Sequence, residues 1–131
     1  MEIIEGRLPD YDQLTRIREA AGWEPLPKAL LAEQYAGSKW VVTAWDGPRL
    51  IGTIRAISDG VTNAYICGFV VDEPYRSKGI GRGLLMALTE PRPTVRWVLH
   101  SRPEVEAFYR KCGFAPAGGM FRLDRRRALS G

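Results

Sequence analysis

From Val70 to Leu85 the chain reads Val-Val-Asp-Glu-Pro-Tyr-Arg-Ser-Lys-Gly-Ile-Gly-Arg-Gly-Leu-Leu. An apolar, β-type run passes through a basic loop punctuated by glycine and opens directly onto an apolar-periodic helix. A strand, turn and helix in that order leave unpaired N–H groups at the helix start, where the positive end of the helix dipole favours an anion. Gly79, Gly81 and Gly83 lack the Cβ atoms that would keep a ligand off the backbone. Arg76, Lys78 and Arg82 add full positive charges beside those amides. Residues 76–83 are therefore predicted to hold a pyrophosphate.

The rest of the chain supplies elements around this junction. Glu2 to Glu5 is a short strand candidate. Asp10 with Gln13 forms a capping box, and Leu14, Ile17, Ala20 and Ala21 keep helical spacing until Gly22. A second short helix runs from Pro27 to Ala36. Trp40 to Trp45 and Leu50 to Ile57, separated by Asp46-Gly47-Pro48, read as an antiparallel hairpin. Asn63 to Val71 continues the meander. The helix after the glycine loop places Ile80, Leu84, Leu85 and Leu88 on one face and is stopped by Pro91 and Pro93. Thr94 to His100 is a further strand. Ser101 with Glu104 reads as a second capping box, opening a helix with Val105, Phe108 and Tyr109 that ends at Gly113. Phe114 to Pro116 and Met120 to Leu123 are terminal strand candidates. The order is β-α-α-β-β-β-α-β-α-β-β, an α+β chain, with one domain over residues 1–124 and a basic tail over 125–131.

At 131 residues and 45% hydrophobic content, such a domain can build its core without metal or disulfide. Cys67 and Cys112 have no CxxC spacing and no neighbouring His cluster, so reduced thiols in the cytoplasm and no metal site are expected. No stretch approaches the roughly 20 apolar residues of a membrane span, and the first residues do not resemble a secretory signal. The net charge of +4 suits an acidic ligand. Arg122, Arg125, Arg126 and Arg127 supply as much positive charge as that excess, and without interleaved aromatics they do not make a nucleic-acid surface. A P-loop pattern is absent. Gly79-Ile80-Gly81-Arg82-Gly83-Leu84 misses the dinucleotide-binding register, because it follows antiparallel-type strands and the next strand ends in His100 rather than an acid. A tight turn whose glycines merely permit close packing stays open beside the pyrophosphate reading.

Residues 70–85 resemble the acyl-CoA signature of the GNAT superfamily of N-acetyltransferases, Arg/Gln-x-x-Gly-x-Gly/Ala, standing here as Arg76-Ser77-Lys78-Gly79-Ile80-Gly81. Phe108-Tyr109-Arg110-Lys111-Cys112-Gly113-Phe114 is similar to that family's Phe-Tyr-x-x-x-Gly-Phe, and the element order agrees from end to end. The chain looks most like small bacterial single-domain members, some related to aryl- and arylalkylamine acetyltransferases. The resemblance implies a GNAT fold with a mixed, mostly antiparallel sheet flanked by helices. It implies direct acetyl transfer from acetyl-CoA, without metal, to a primary amine of a small molecule. The alternative is a non-catalytic acyl-CoA-binding sensor.

By the same resemblance, Phe69, Val70 and Val71 pair with the pantetheine amides where their strand splays from its neighbour after a bulge. Ser77, Lys78, Gly79, Ile80, Gly81 and Arg82 then face the pyrophosphate, Phe108 packs against the cofactor, and Arg110 or Lys111 reaches the 3′-phosphate. Tyr109 matches the proton donor to the departing thiolate; helical periodicity alone reads it as a packing residue, and the flanking Phe108 and Gly113-Phe114 turn that reading towards the donor. No carboxylate stands on the third meander strand, where relatives carry a base, and Gly68 occupies one such position. His100, Glu24 in the inter-helix loop that walls the acceptor pocket in relatives, and water are the candidate bases. Arg102 stands where the family has an Asn. Cys112 reads as packing. Trp23, Trp40, Tyr65 and Trp97 are candidates for an aromatic acceptor wall. Pairing of relatives through terminal strands or the sheet edge suggests a homodimer. Neither nucleic acid nor membrane is expected as a partner.

Overall fold

The computed structural model describes residues 1–129, so Ser130 and Gly131 of the basic tail lie outside the described residues. A sheet of five strands runs in the order β1 (Glu2–Glu5), β2 (Trp40–Asp46), β3 (Arg49–Ser58), β4 (Asn63–Val71) and β5 (Arg96–Val98). The first four pair antiparallel and β5 pairs parallel to β4. The parallel step needs a crossover, which α3 (Ile80–Thr89) provides. Helices α1 (Tyr11–Ala20) and α2 (Lys28–Ala36) precede the meander, and α4 (Glu106–Lys111) follows β5.

Alternation along the strands feeds two cores. On one face Val42, Ala44, Ile54 and Ile66 pack with Ile80, Leu84, Leu85 and Leu88 of α3. On the other, Val41, Trp45, Leu50 and Val70 pack with Leu14, Ile17, Leu31 and Tyr35 of α1 and α2. Gly83 is part of this packing: a Cβ there would meet Ile3 Cδ1 at 2.5 Å.

The Asp10 cap forms, with Oδ1 accepting from the Gln13 amide at 3.0 Å. Gln13 does not return the bond. Its Nε2 donates to the Pro48 carbonyl and its Oε1 accepts from the Leu50 amide, tying α1 to the β2–β3 hairpin.

Three expectations are corrected. Ser101 caps nothing; its hydroxyl donates to the Arg102 carbonyl, and Pro103–Val105 form a 3₁₀ turn ahead of α4. Pro103 has a fixed φ and no N–H, which suits a tight first turn. The strand expected over Thr94 to His100 shrinks to Arg96–Val98, held at its start by the Arg96 amide on the Thr62 carbonyl. The expected strands at Phe114–Pro116 and Met120–Leu123 do not form among the described residues. Pro116 lacks a donor, Gly119 sits at φ +86°, and so short a β5 offers little edge to template a partner.

Candidate cofactor cleft and active site

A bulge in β4 shapes the site. Thr53 pairs with Val70 while Arg55 pairs with Cys67, leaving one extra residue on β4. Gly68 absorbs it at φ +62°, a conformation L side chains avoid. On the other edge β4 meets β5 only from Asn63 to Tyr65. Beyond that the strands diverge, and a cleft of about 620 Å³ opens between them.

The glycine loop closes one end of this cleft. Ser77 at φ +63° and Gly79 at φ +83° turn the chain into α3 without any side-chain cap. Among the described residues, no main-chain N–H from Ser77 to Arg82 has an acceptor within the protein. A Cβ at Gly81 would touch Phe108, Phe69 and Val71 at 3.6–3.8 Å, so this glycine faces the cleft. Arg76 Nε donates to the Val71 carbonyl at 3.1 Å, fastening the loop back onto β4. Free amides and the guanidinium of Arg82 are the donors a pyrophosphate needs, and the bare α-carbon of Gly81 lets it approach them. The residues present fit coenzyme A.

The strand that delivers the chain to this loop is anchored from below. Asp72 is buried, and its Oδ2 accepts from Arg49 Nη2 at 2.8 Å and Arg16 Nη1 at 3.3 Å. Burial works to raise its carboxyl, but the two guanidinium bonds prevail and hold it below the ordinary carboxylate range. Tyr75 Oη donates to Asp46 Oδ2 at 2.7 Å, tying the 3₁₀ turn at Glu73–Tyr75 to the hairpin.

Of the expected cofactor residues, Phe69, Val70, Val71, Arg76, Ser77, Gly79, Gly81, Arg82 and Phe108 line the cleft. Four do not. Ile80 is buried in the core and Gly83 faces β1. Lys78 is exposed, with Nζ 5.7 Å from the Tyr75 ring, and Lys111 is exposed at the end of α4. Arg110 lines a separate hollow beside β5.

Tyr109 and His100 share the cleft wall. Tyr109 packs edge-on against Phe108, Phe114 and Phe69, with ring centroids 5.3, 5.9 and 6.3 Å away. Burial pushes its phenol above the ordinary value of 10.0; Cys112 adds to this and Arg102 opposes it. The group stays protonated at neutral pH. Glu24 does not reach the cleft: it lies in a surface depression with Asp124 to Leu129. The expected aromatic wall is not assembled either. Trp40 and Trp97 pack together at 5.6 Å against the α3 core, Tyr65 is exposed, and Trp23 alone of the four lines the cleft. Both cysteines are free thiols, Cys112 packed against the core as expected. Tyr75 and Val105 also line the cleft and were not legible as site residues, because each reads as an ordinary apolar position. Among the described residues, no carboxylate lines the cleft and no cluster of three metal-ligating side chains exists.

Residues 8–114 match the model of the Acetyltransferase (GNAT) family. The chain belongs to this family. The GNAT protein is 32% identical over 127 residues to GCN5-related N-acetyltransferase 1, chloroplastic, of Arabidopsis thaliana, spanning 90% of this chain and 64% of that relative. Its fold aligns with that of a probable acetyltransferase from Staphylococcus aureus at TM-score 0.78 and 23% identity, over 94% of this chain and 100% of the other. An aminoglycoside 6′-N-acetyltransferase complexed with coenzyme A aligns at TM-score 0.59 and 25% identity, over 70% of this chain and 54% of the other.

Proposed function

We propose that this GNAT protein transfers an acetyl group from acetyl-CoA to a primary amine of a small molecule. The observation that carries the reading is the run of unpaired amides from Ser77 to Arg82 at one end of a cleft whose wall includes Tyr109. Acetyl-CoA supplies an activated acyl group on a fairly good leaving thiol, so no covalent intermediate on the protein is needed. The α3 amides and Arg82 bind the diphosphate, and the splayed edge of β4 at Phe69 to Val71 lays the pantetheine along the cleft. A neutral amine attacks the carbonyl carbon, the carbon–sulfur bond breaks, and the Tyr109 phenol gives its proton to the sulfur. His100 or water takes the proton released by the amine nitrogen. Trp23 offers one apolar surface to the acceptor.

A thiol-release assay over an amine panel tests this. Turnover is expected to fall about 100-fold in Tyr109→Phe, within the usual span for a lost general acid, while coenzyme A affinity holds within twofold. Failure of calorimetry to detect coenzyme A at millimolar concentration overturns the reading. The lack of a cleft carboxylate gives a second reading, an acyl-CoA sensor, which binding without turnover of any amine would support.

A further inference from the structure

On the α1–α2 face of the sheet, the bulge of β4 rests on an arginine. A Cβ at Gly68 would lie 2.9 Å from Arg55 Nε, so the guanidinium fills the space a side chain at that position would take. Among the described residues Arg55 Nε is a buried side-chain donor without any partner. The guanidinium makes one long bond, from Nη1 to Ser38 Oγ at 3.4 Å, and lies 5.7 Å from the Tyr35 ring. Arg18 sits in the same cluster, its guanidinium 5.1 Å from the Trp23 ring and its Nη2 donating to the Glu24 carbonyl at 2.9 Å. Among the described residues neither arginine has a carboxylate within ion-pair distance. Burial and Arg55 disfavour the Arg18 charge, which Tyr35 and the Glu24 carboxylate favour only from a distance.

Two half-buried guanidiniums held near one another without a counter-ion are costly, and a buried donor left unpaired calls for an explanation. Their place supplies it. Neither arginine lines the cleft, but both adjoin residues that border it: Arg55 fills the space beside Gly68, which immediately precedes the cleft residues Phe69 and Val70, and Arg18 lies against Trp23 of the cleft. We propose that the acceptor amine carries a carboxylate, received by Arg55 and Arg18 beside the bulge at Gly68. Planar, forked donors match a carboxylate. The same charges lower the pKa of a nearby ammonium and so favour the neutral amine that reacts. They repel polyamines. The proposal rests on the acetyltransferase reading and specifies its acceptor.

The test pairs amines that differ by one carboxylate: phenylalanine with phenethylamine, tryptophan with tryptamine, histidine with histamine, ornithine with putrescine. β-Alanine and γ-aminobutyrate probe the spacing between amine and carboxylate. The amino acid of the best pair is expected to exceed its decarboxylated partner at least about tenfold in kcat/KM, the weight of a charge-assisted hydrogen bond. Arg55→Gln and Arg18→Gln should each abolish that preference through KM, leaving coenzyme A affinity unchanged. Binding is measured separately, by calorimetry of the coenzyme A complex with N-acetylphenylalanine, N-acetyltryptophan and their amides. Equal or better use of the decarboxylated amines, or a carboxylate preference untouched in both variants, overturns the proposal. Absence of turnover together with Arg55-dependent binding of an N-acetyl carboxylate over its amide overturns the catalytic reading, and with it the assignment of an acceptor, while upholding the carboxylate site itself. Absence of turnover with no such binding overturns both.

Discussion

Replacing Gly81 by glutamate separates the stability of the free protein from its affinity for coenzyme A. The Gly81 Cβ direction points at Phe108, Phe69 and Val71 with ordinary contacts of 3.6–3.8 Å, so a side chain there enters the cleft without a clash. Gly81 is absent from the positive-φ glycines and lies in the first turn of α3. A non-glycine residue in a helix gains about 0.5–1 kcal/mol, and an anion at a helix N-terminus about 0.3–1 kcal/mol more. The free variant should melt at or above the parent temperature. Bound diphosphate is another matter. With phosphate oxygens about 2.9 Å from the amides, the new carboxylate stands about 4–5 Å from a phosphate charge. At an effective dielectric near 20 that repulsion is about 3–4 kcal/mol, roughly two to three orders of magnitude in Kd. Coenzyme A at 100 times the parent Kd stabilises the parent by about 2.7 kcal/mol, a rise of roughly 10 °C for a chain of this size. At the same concentration the variant should show almost none. Gly81→Ala serves as the control, with a Kd shift below about tenfold. Calorimetry and thermal melting read both quantities, and a Gly81→Glu protein that binds coenzyme A within threefold of the parent would refute the amide cradle.

Further expectations concern the supports of the site. Asp72→Asn should cost about 2 kcal/mol, the weight of a hydrogen bond to a charged group, because the buried carboxylate loses its charge opposite Arg49 and Arg16; urea denaturation measures it. Since the Asp72 carboxyl is held below its ordinary range, its stabilisation is present above about pH 4 and fades as pH falls further. The difference in stability between parent and Asp72→Asn should therefore shrink in acid. Gly68→Ala places a side chain at φ +62° and 2.9 Å from Arg55 Nε, and should lower stability by about 1–3 kcal/mol. With Tyr109 raised above 10.0, the proton donor is lost only on the alkaline side of that value, so any fall in kcat below pH 9 must come from another group, and Tyr109→Phe should leave such a fall in place.

The sheet meander was legible because period-two apolar runs and short turn sequences both mark strands, and Asn63–Val71 stands where the pattern puts it. The glycine loop was legible for a different reason: few other residue patterns suit a strand that must turn within a few residues into a helix. Patterning failed after α4, where Phe114 to Pro116 and Met120 to Leu123 are short apolar segments of strand type, yet Met120 and Phe121 are exposed and unpaired with any strand among the described residues. A strand needs an edge to join, and the length of β5 is set by contacts elsewhere in the sheet. The cluster of Arg18, Tyr35, Arg55 and Gly68 was invisible for the same reason. Its members come from two helices and two strands, and only the register shift between β3 and β4 brings them together. Arg102, by contrast, stood out in the sequence as a departure from the family pattern, and it does line the cleft.

The joint at Asp72 makes nucleotide affinity hostage to a distant part of the molecule. Arg16 and Arg49 do not line the cleft, yet they fix the point from which the phosphate clasp is hung. Loosening the first helix, whether by heat, proteolysis or an unlucky substitution on its inner face, should therefore dull the grip on the cosubstrate well before the sheet itself comes apart.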